Sequence, residues 1–572
     1  MVSTATLAIA GAVPIAVAFV LLVGLRWSAV RAMGVGWVLA TALGLTIWGM
    51  NPSWWVASAV FGALQAVNII LIVFGAILLM NYLDGSGAIS TIRWYFTQIE
   101  SDRRVQLLLI GLGFETIIEG AAGFGTPGAL AAPLFIGLGF PPLAAAVFGL
   151  FFNAPNPPFG AAGTPILGGV GAVMTDGLLP QGVAVSEFLK MVSAWTGVIT
   201  GVTYVFWGFL GVVLLIYWFG DDGERSVRGA LRTAAPVAPF AFVLGIVAGG
   251  VQWAVAWFIG PALPDIAAGF VVLGIGMVMA NRDILVPEDR WDFPDSSTWN
   301  DTWRGGLDLD EIAVEKPSKE MPVLLAWTPY LLVAALLLIT RWPTLTIGGQ
   351  QIVDVVSSFT VGFDVLGYEQ LHWAISYLYL PGTFPFLPVA VLTGFLHGMD
   401  VDGMRDAWRE SVDQTIVPAL TLVVAVSMTQ IMIQSKVNPA DVIGMMQALS
   451  RGLATIAGGL LPIISPWIGA LGAFMTGSNT SSDILFSVLQ YNAAGQVGIS
   501  QTVTVALQNT GGGIGNMISV LNLAAIGGVA GVAGREGDMM RKTIVPTVIF
   551  ALWAGLLGLI FVYVAPGGSI PF

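Results

Sequence analysis

The chain has 572 residues, of which 56% are hydrophobic and only 10% charged, with a mean hydropathy of +0.84. Soluble domains carry about 25% charged residues, so this composition argues against a soluble enzyme or a disordered chain. The net charge of −12 argues against a nucleic-acid binder, and zero cysteines with two histidines argue against disulfides, thiolate sites and histidine-built zinc or haem centres; no metal and no cofactor are expected.

Spans of about 20 apolar residues are the natural unit of such a chain. Residues 1–25 carry no charged side chain and predict a first span over 7–25. The first charge is Arg26, so no basic segment precedes it, and it reads as a retained span rather than a cleaved signal. Residues 32–83 form a second charge-free run, broken by Asn51-Pro52 into two spans. Residues 120–175 are a third, rich in Gly and Pro. Further runs cover 191–220, 233–264 and 266–281. A polar stretch follows over 282–320, with 11 acids and 5 bases, and reads as a cytoplasmic loop holding half of the net charge. The last runs are 321–340, 370–399, 414–435, 452–482, 484–534 and 543–572. The expected fold is all-α and polytopic, with about 12–14 membrane helices.

Basic residues set the orientation by their preference for the cytoplasmic side. If Arg26/Arg31, Arg93/Arg103/Arg104, Arg225/Arg228/Arg232, Arg405/Arg409 and Arg535/Arg541/Lys542 are all cytoplasmic, both termini lie outside. Asn51, the 178–181 turn, the 341–370 segment and Lys436 to Asp441 then also lie outside.

Two segments are too rich in helix breakers to be ordinary spans. The first runs from Glu119 through Gly123, Gly125, Thr126 and Pro127 to Asn153 and Thr164-Pro165; the second from Thr476 through Ser478-Asn-Thr480 and Asp483 to Gln508, Asn509 and Asn516. Each is preceded by three candidate spans and followed by one, and the charge pattern makes them enter from opposite sides. This predicts an inverted repeat, 1–220 and 322–572, with 221–321 as linker spans plus the acidic loop. Matched interrupted segments in two halves point to a carrier's midplane binding site. Broken helices expose N-terminal N–H groups that attract anions.

These same motifs resemble the L-lactate permease family: Glu119-Gly-Ala-Ala-Gly-Phe-Gly-Thr-Pro127, Gly139-Phe-Pro-Pro-Leu143, Phe159-Gly-Ala-Ala-Gly-Thr-Pro165, the 466–482 segment ending Thr-Gly-Ser-Asn-Thr-Ser-Ser, Thr510-Gly-Gly-Gly-Ile-Gly-Asn-Met-Ile518 and Gly534-Arg-Glu-Gly537. The resemblance runs through most of the chain. It implies a multi-pass permease of the cell membrane for L-lactate and glycolate, driven by proton symport; the wider superfamily includes carriers whose paired Ser-Asn-Thr loops bind carboxylates and, in some, sodium. It also leads one to expect an amide at Asp483, an acid at Asn479 and a small residue at Glu115, and the chain departs at all three.

The candidate substrate-binding set is Gly123, Gly125, Thr126, Asn153, Thr164, Ser478, Asn479, Thr480, Gln508, Asn509 and Asn516. Glu119 is the first candidate for proton coupling, with Asp483 and Glu115 behind it, because an ionisable group at membrane depth is costly and functional by default. The bland alternatives are a carboxylate capping the next half-helix, and amides and hydroxyls that merely satisfy broken backbone. Arg451 is a distant candidate for the substrate carboxylate, and His397 reads as a satisfied interfacial histidine. The expected partners are a small monocarboxylate, a proton (sodium in the alternative), the lipid bilayer and further copies in a homo-oligomer, with no nucleic acid. The rival functions are a sodium-coupled carboxylate carrier and an anion channel; no enzyme motif is present.

Overall fold

The structure, a computed structural model, describes residues 3–25, 27–96, 98, 102–123, 125–175, 177–306 and 321–564. Arg26, Phe124 and seven charged residues of the acidic loop (Asp308, Asp310, Glu311, Glu315, Lys316, Lys319 and Glu320) lie outside the described residues. The chain is an all-α polytopic membrane protein. Ten helices among the described residues are long and apolar enough to cross a bilayer. Gln501–Asn516 and Val520–Val529 form an eleventh if counted as one span bent by 41°. The count falls below 12–14 because the 120–175 run folds into two short helices, Thr126–Gly137 and Pro142–Asn153, followed by irregular backbone.

Two helices of 34 residues, Pro52–Gly85 and Val401–Gln434, form the most extensive pair in the molecule. Each starts on a side-chain cap: Asn51 accepts from the Ser53 amide at 3.0 Å and Asp400 from the Gly403 amide at 2.8 Å. At about 50 Å each exceeds the roughly 30 Å hydrocarbon layer. A second bundle pairs Val185–Phe219 with Ala238–Phe258, and Leu461–Thr476 with Gln501–Asn516. In the latter pair a Cβ on Gly511 would lie 2.2 Å from the Pro466 carbonyl, so small residues let the backbones touch.

The 370–399 run is not a span. Residues Thr360–Asp364 and His372–Ser376 pair antiparallel, with Asp364 opposite His372 and Phe363 opposite Trp373. A short helical stretch, 382–396, follows. Strand His372–Ser376 lies inside that run, and a search for charge-free runs cannot distinguish a strand from a helix.

The described part of the acidic loop is docked rather than freely solvated. Trp291, Phe293, Trp299 and Trp303 are buried. Arg103 bonds Asp292 at 2.8 Å, and Arg225 lies 4.7 Å over the Trp303 ring. Arg104 and Asp102 form a fully buried pair at 2.7 Å. Arg103, Arg104, Arg225 and Lys542, which sits 5.2 Å over Trp218, thus gather at the loop end of the molecule. Trp54, Gly177, Glu369 and Lys436 gather around a common cavity.

Candidate functional site

The first broken segment begins where helix Glu115–Ala121 stops at Gly123 (φ 62°) and the chain restarts at Gly125 (φ 80°). Pro127, in the first turn of Thr126–Gly137, pre-sets helical geometry where no N–H is needed. The chain returns through Pro142–Asn153, and Asn153 Nδ2 donates to Glu119 Oε2 at 2.7 Å. Beyond Pro157–Phe159, residues Ala161, Ala162 and Gly163 run in the left-handed region at φ 43°, 51° and 76°. Two alanines there cost about 1–2 kcal/mol each, which surrounding packing must offset. Gly160 is required by close approach: a Cβ would sit 2.2 Å from Glu119 Oε1.

The second broken segment turns at Gly477 (φ 71°), and Ser478 caps helix Asn479–Val497 by accepting from the Ser481 amide at 3.3 Å. The first N–H groups of a helix have no intrahelical partner and carry its positive end. Ser478, Asn479 and Thr480 present that end to a pocket whose opposite wall is Glu119, Gly123, Gly160, Ala161 and Thr164. Asn516, at the end of Gln501–Asn516, completes the lining. The free volume is about 20 Å³, room for about one water, so a monocarboxylate requires the walls to part.

Six of the eleven expected binding residues and one of the three expected acids share the pocket. Glu119, Gly123, Thr164, Ser478, Asn479, Thr480 and Asn516 line the pocket. Asn153, Gln508 and Asn509 stand behind it. Asn153 orients Glu119; Asn509 accepts from Asn479 Nδ2 at 3.0 Å and donates to the Pro158 carbonyl at 3.4 Å, joining the two segments. Gln508 donates to Ser482 at 2.9 Å and Asp483 at 3.4 Å, and accepts from Gln490. Gly125 and Thr126 lie at the helix start, and Gly125 faces Asn522. Asp483 is buried one turn after Asn479, packed against Gly169, with Oδ2 unpartnered among the described residues. Glu115 is buried one turn before Glu119, and neither of its oxygens has a partner among the described residues. Asn479 Oδ1, pressed against Gly512, and Asn516 Oδ1 are also unpartnered among the described residues. His397 is satisfied, bonded to Ser86 at 2.8 Å and the Leu325 carbonyl at 3.0 Å. Arg451 lines a separate cavity with Gln447 and Asn492.

Asp265 was missed. It is fully buried and packs on Gly120, beside Glu119, where a glycine Cβ would lie 2.7 Å from its own. The signal existed: Asp265 is the only charged residue between Arg232 and Arg282, the same isolation that singled out Asp483. In the sequence Asp265 divides the 233–264 run from the 266–281 run.

A larger cavity of about 830 Å³ lies beyond the first broken segment. Thr164 lines the inner pocket, and Gly171, at the end of the intervening helical turn, lines the outer cavity. Its walls include Trp54, Phe61, Tyr368, Gln434 and Lys436. Lys436 is half-buried, which lowers its pKa from the ordinary value, and makes no ion pair with a described residue.

Long apolar helices around a polar pocket closed by two broken segments define a multi-pass α-helical membrane protein with an internal site. The family model of L-lactate permease matches residues 7–565, and the chain belongs to that family. Among its relatives, the glycolate permease of Escherichia coli (strain K12) is 28% identical, covering 98% of this chain and 96% of its own. The L-lactate permease of Salmonella typhi is 28% identical, covering 96% and 95%. That of Bacillus subtilis (strain 168) is 28% identical, covering 85% and 83%.

Proposed function

We propose that the protein is a secondary transporter that takes up L-lactate, and glycolate or similar short 2-hydroxy monocarboxylates, across the cell membrane together with a proton. Its relatives named for L-lactate and glycolate support the substrate class. The observation that carries the coupling is that one small pocket is shared by Glu119 and the N-terminus of helix Asn479–Val497. The helix end favours the substrate carboxylate. An ionised Glu119 would repel it, whereas a protonated Glu119 would not, so carboxylate and proton enter as a pair. Asn516 Oδ1, buried and unpartnered among the described residues, suits the 2-hydroxyl as donor. In this reading the chain is an inverted repeat of 1–220 and 322–572 joined by 221–321. The long helices Pro52–Gly85 and Val401–Gln434 are corresponding members, the arginine-rich loop end is cytoplasmic, and both termini are outside.

The test is uptake into vesicles with simultaneous pH recording and a competition panel. L-lactate and glycolate should compete and carry protons inward. Propionate lacks the hydroxyl and would leave a buried acceptor unpaired, a loss of about 1–3 kcal/mol, so it should compete roughly tenfold or more weaker. Equal competition by propionate would sink the hydroxyl assignment. The unpartnered Asn516 oxygen would also suit a cation, which favours sodium coupling as the second reading; uptake that requires sodium and ignores a pH gradient would select it.

A further inference from the structure

Asp265, in the first turn of helix Pro264–Asn281, is a buried acid outside both broken segments and outside the pocket lining. This helix belongs to neither repeat. Two structural ties nevertheless connect Asp265 to the pocket. One is backbone packing. Asp265 lies against Gly120, next to Glu119, and a Cβ on Gly163 of the left-handed turn would lie 2.4 Å from the Pro261 carbonyl, just ahead of the same helix.

The other is a chain of polar contacts. Gln252 Nε2 donates to Asp265 Oδ1 at 2.7 Å, and Gln252 Oε1 accepts from Thr200 at 2.5 Å. Thr200 shares that hydroxyl with the Thr196 carbonyl at 2.9 Å. Thr196 Oγ1 accepts from Asn509 at 3.3 Å, and Asn509 accepts from Asn479, which lines the pocket, at 3.0 Å. Every residue in this chain is buried.

Asp265 Oδ2 has no partner among the described residues. An ionised carboxylate there would be a buried, half-solvated charge, which is costly. The titratable groups that face it are Glu119 from the 115–121 helix and Tyr204 from the 185–219 helix, with Glu115 one turn before Glu119. All are acids, and Gln252 supplies only a neutral donor.

We propose that Asp265 is a second proton-binding carboxyl of the carrier, protonated at rest and exchanging its proton in response to occupancy of the pocket. This rests on the symport reading but adds a residue to it. In the exchange the O–H bond at Oδ2 breaks, its electron pair stays on Asp265, and the proton passes to an ionised Glu119. Asp265 touches no substrate; it acts through Glu119 and through the Asn479 chain. The linker helices would then sense the pocket rather than merely join two repeats.

The test is infrared difference spectroscopy on the full-length protein in vesicles, with and without L-lactate. The expected result is a protonated-carboxyl carbonyl band at neutral pH that Asp265→Asn removes, that Glu119→Gln leaves in place, and that changes when L-lactate is added to the wild type. Asparagine can keep the Gln252 bond through its own Oδ1, so a merely structural role would leave uptake and its pH profile unchanged. The expected profile is instead flattened, with exchange of lactate across the membrane retained. If the band survives in Asp265→Asn, or L-lactate leaves it untouched in the wild type, the inference is overturned. Should Asp265→Asn fail to fold, Gln252→Met removes the bond to Oδ1 and should displace the band, and an undisplaced band overturns the inference equally. Wild-type uptake without proton movement would defeat the symport reading, while the band still decides Asp265.

Discussion

Replacing Glu119 by Gln isolates the charge at the centre of the proposed coupling. Glutamine is nearly isosteric, fits the space that Gly160 leaves free and can still accept from Asn153, whose bond to Glu119 is 2.7 Å. What it loses is the ability to ionise. A carboxylate held by Ser478–Thr480 once the walls part, taken at a separation of about 4 Å from the residue 119 side chain, would be repelled by an ionised Glu119 by about 4 kcal/mol at an effective dielectric constant near 20. That is roughly a thousandfold in affinity. Lactate binding to the wild type should therefore weaken by up to about tenfold per pH unit once Glu119 ionises, down to that limit. In Glu119→Gln the affinity should stay flat over the same range, lactate exchange should continue, and proton co-movement should vanish. Isothermal titration in detergent across pH, paired with vesicle exchange and pH recording, measures all three. An affinity in the variant that falls with pH as steeply as in the wild type would refute the shared-pocket argument.

What was legible in the sequence follows physical lines. Helix starts such as Asn51-Pro52 were visible because capping and proline geometry are local. The broken segments were visible for the same reason, since Gly, Pro and Ser-Asn-Thr act on their own backbone. The strand pair 360–364 with 372–376 was hidden, because counting charge-free runs ignores period. The docking of Trp291 and Trp303 was hidden because burial of a polar loop depends on distant partners. Within the site, Glu119 and Ser478–Thr480 could be named separately, but their facing one another is tertiary. Gln508 and Asn509 illustrate the limit: residue type and spacing matched the pocket-lining residues, yet side-chain direction turns both into the supporting network. Asp265 is legible in principle from its isolation, but it lies outside both glycine-rich segments.

Three further outcomes follow from the geometry. Gly160→Ala should reduce lactate uptake strongly, because its Cβ would lie 2.2 Å from Glu119 Oε1, and overpacking of this kind costs about 1–3 kcal/mol; unaltered uptake kinetics with an unaltered melting temperature would contradict it. Arg104→Met removes the cation from Asp102 in a site where both side chains are 0% exposed, leaving the carboxylate to the amides of residues 104, Val105 and Trp291, so stability should fall by about 3–5 kcal/mol, read as a lowered melting temperature in detergent; an unchanged temperature would show that those amides suffice. Lys436 should draw the anion into the outer cavity. At a half-exposed site one attractive charge contributes about 1 kcal/mol, so Lys436→Gln should raise the uptake KM roughly fivefold and Lys436→Arg should not. Burial lowers the Lys436 pKa below its ordinary 10.5, so the cation is lost as pH rises sooner than for a free lysine. The KM difference between wild type and Lys436→Gln should therefore shrink with rising pH, while that between Lys436→Arg and Lys436→Gln persists because arginine stays charged. A difference between wild type and Lys436→Gln that persists undiminished to alkaline pH would mean that the lysine acts by shape and not by charge.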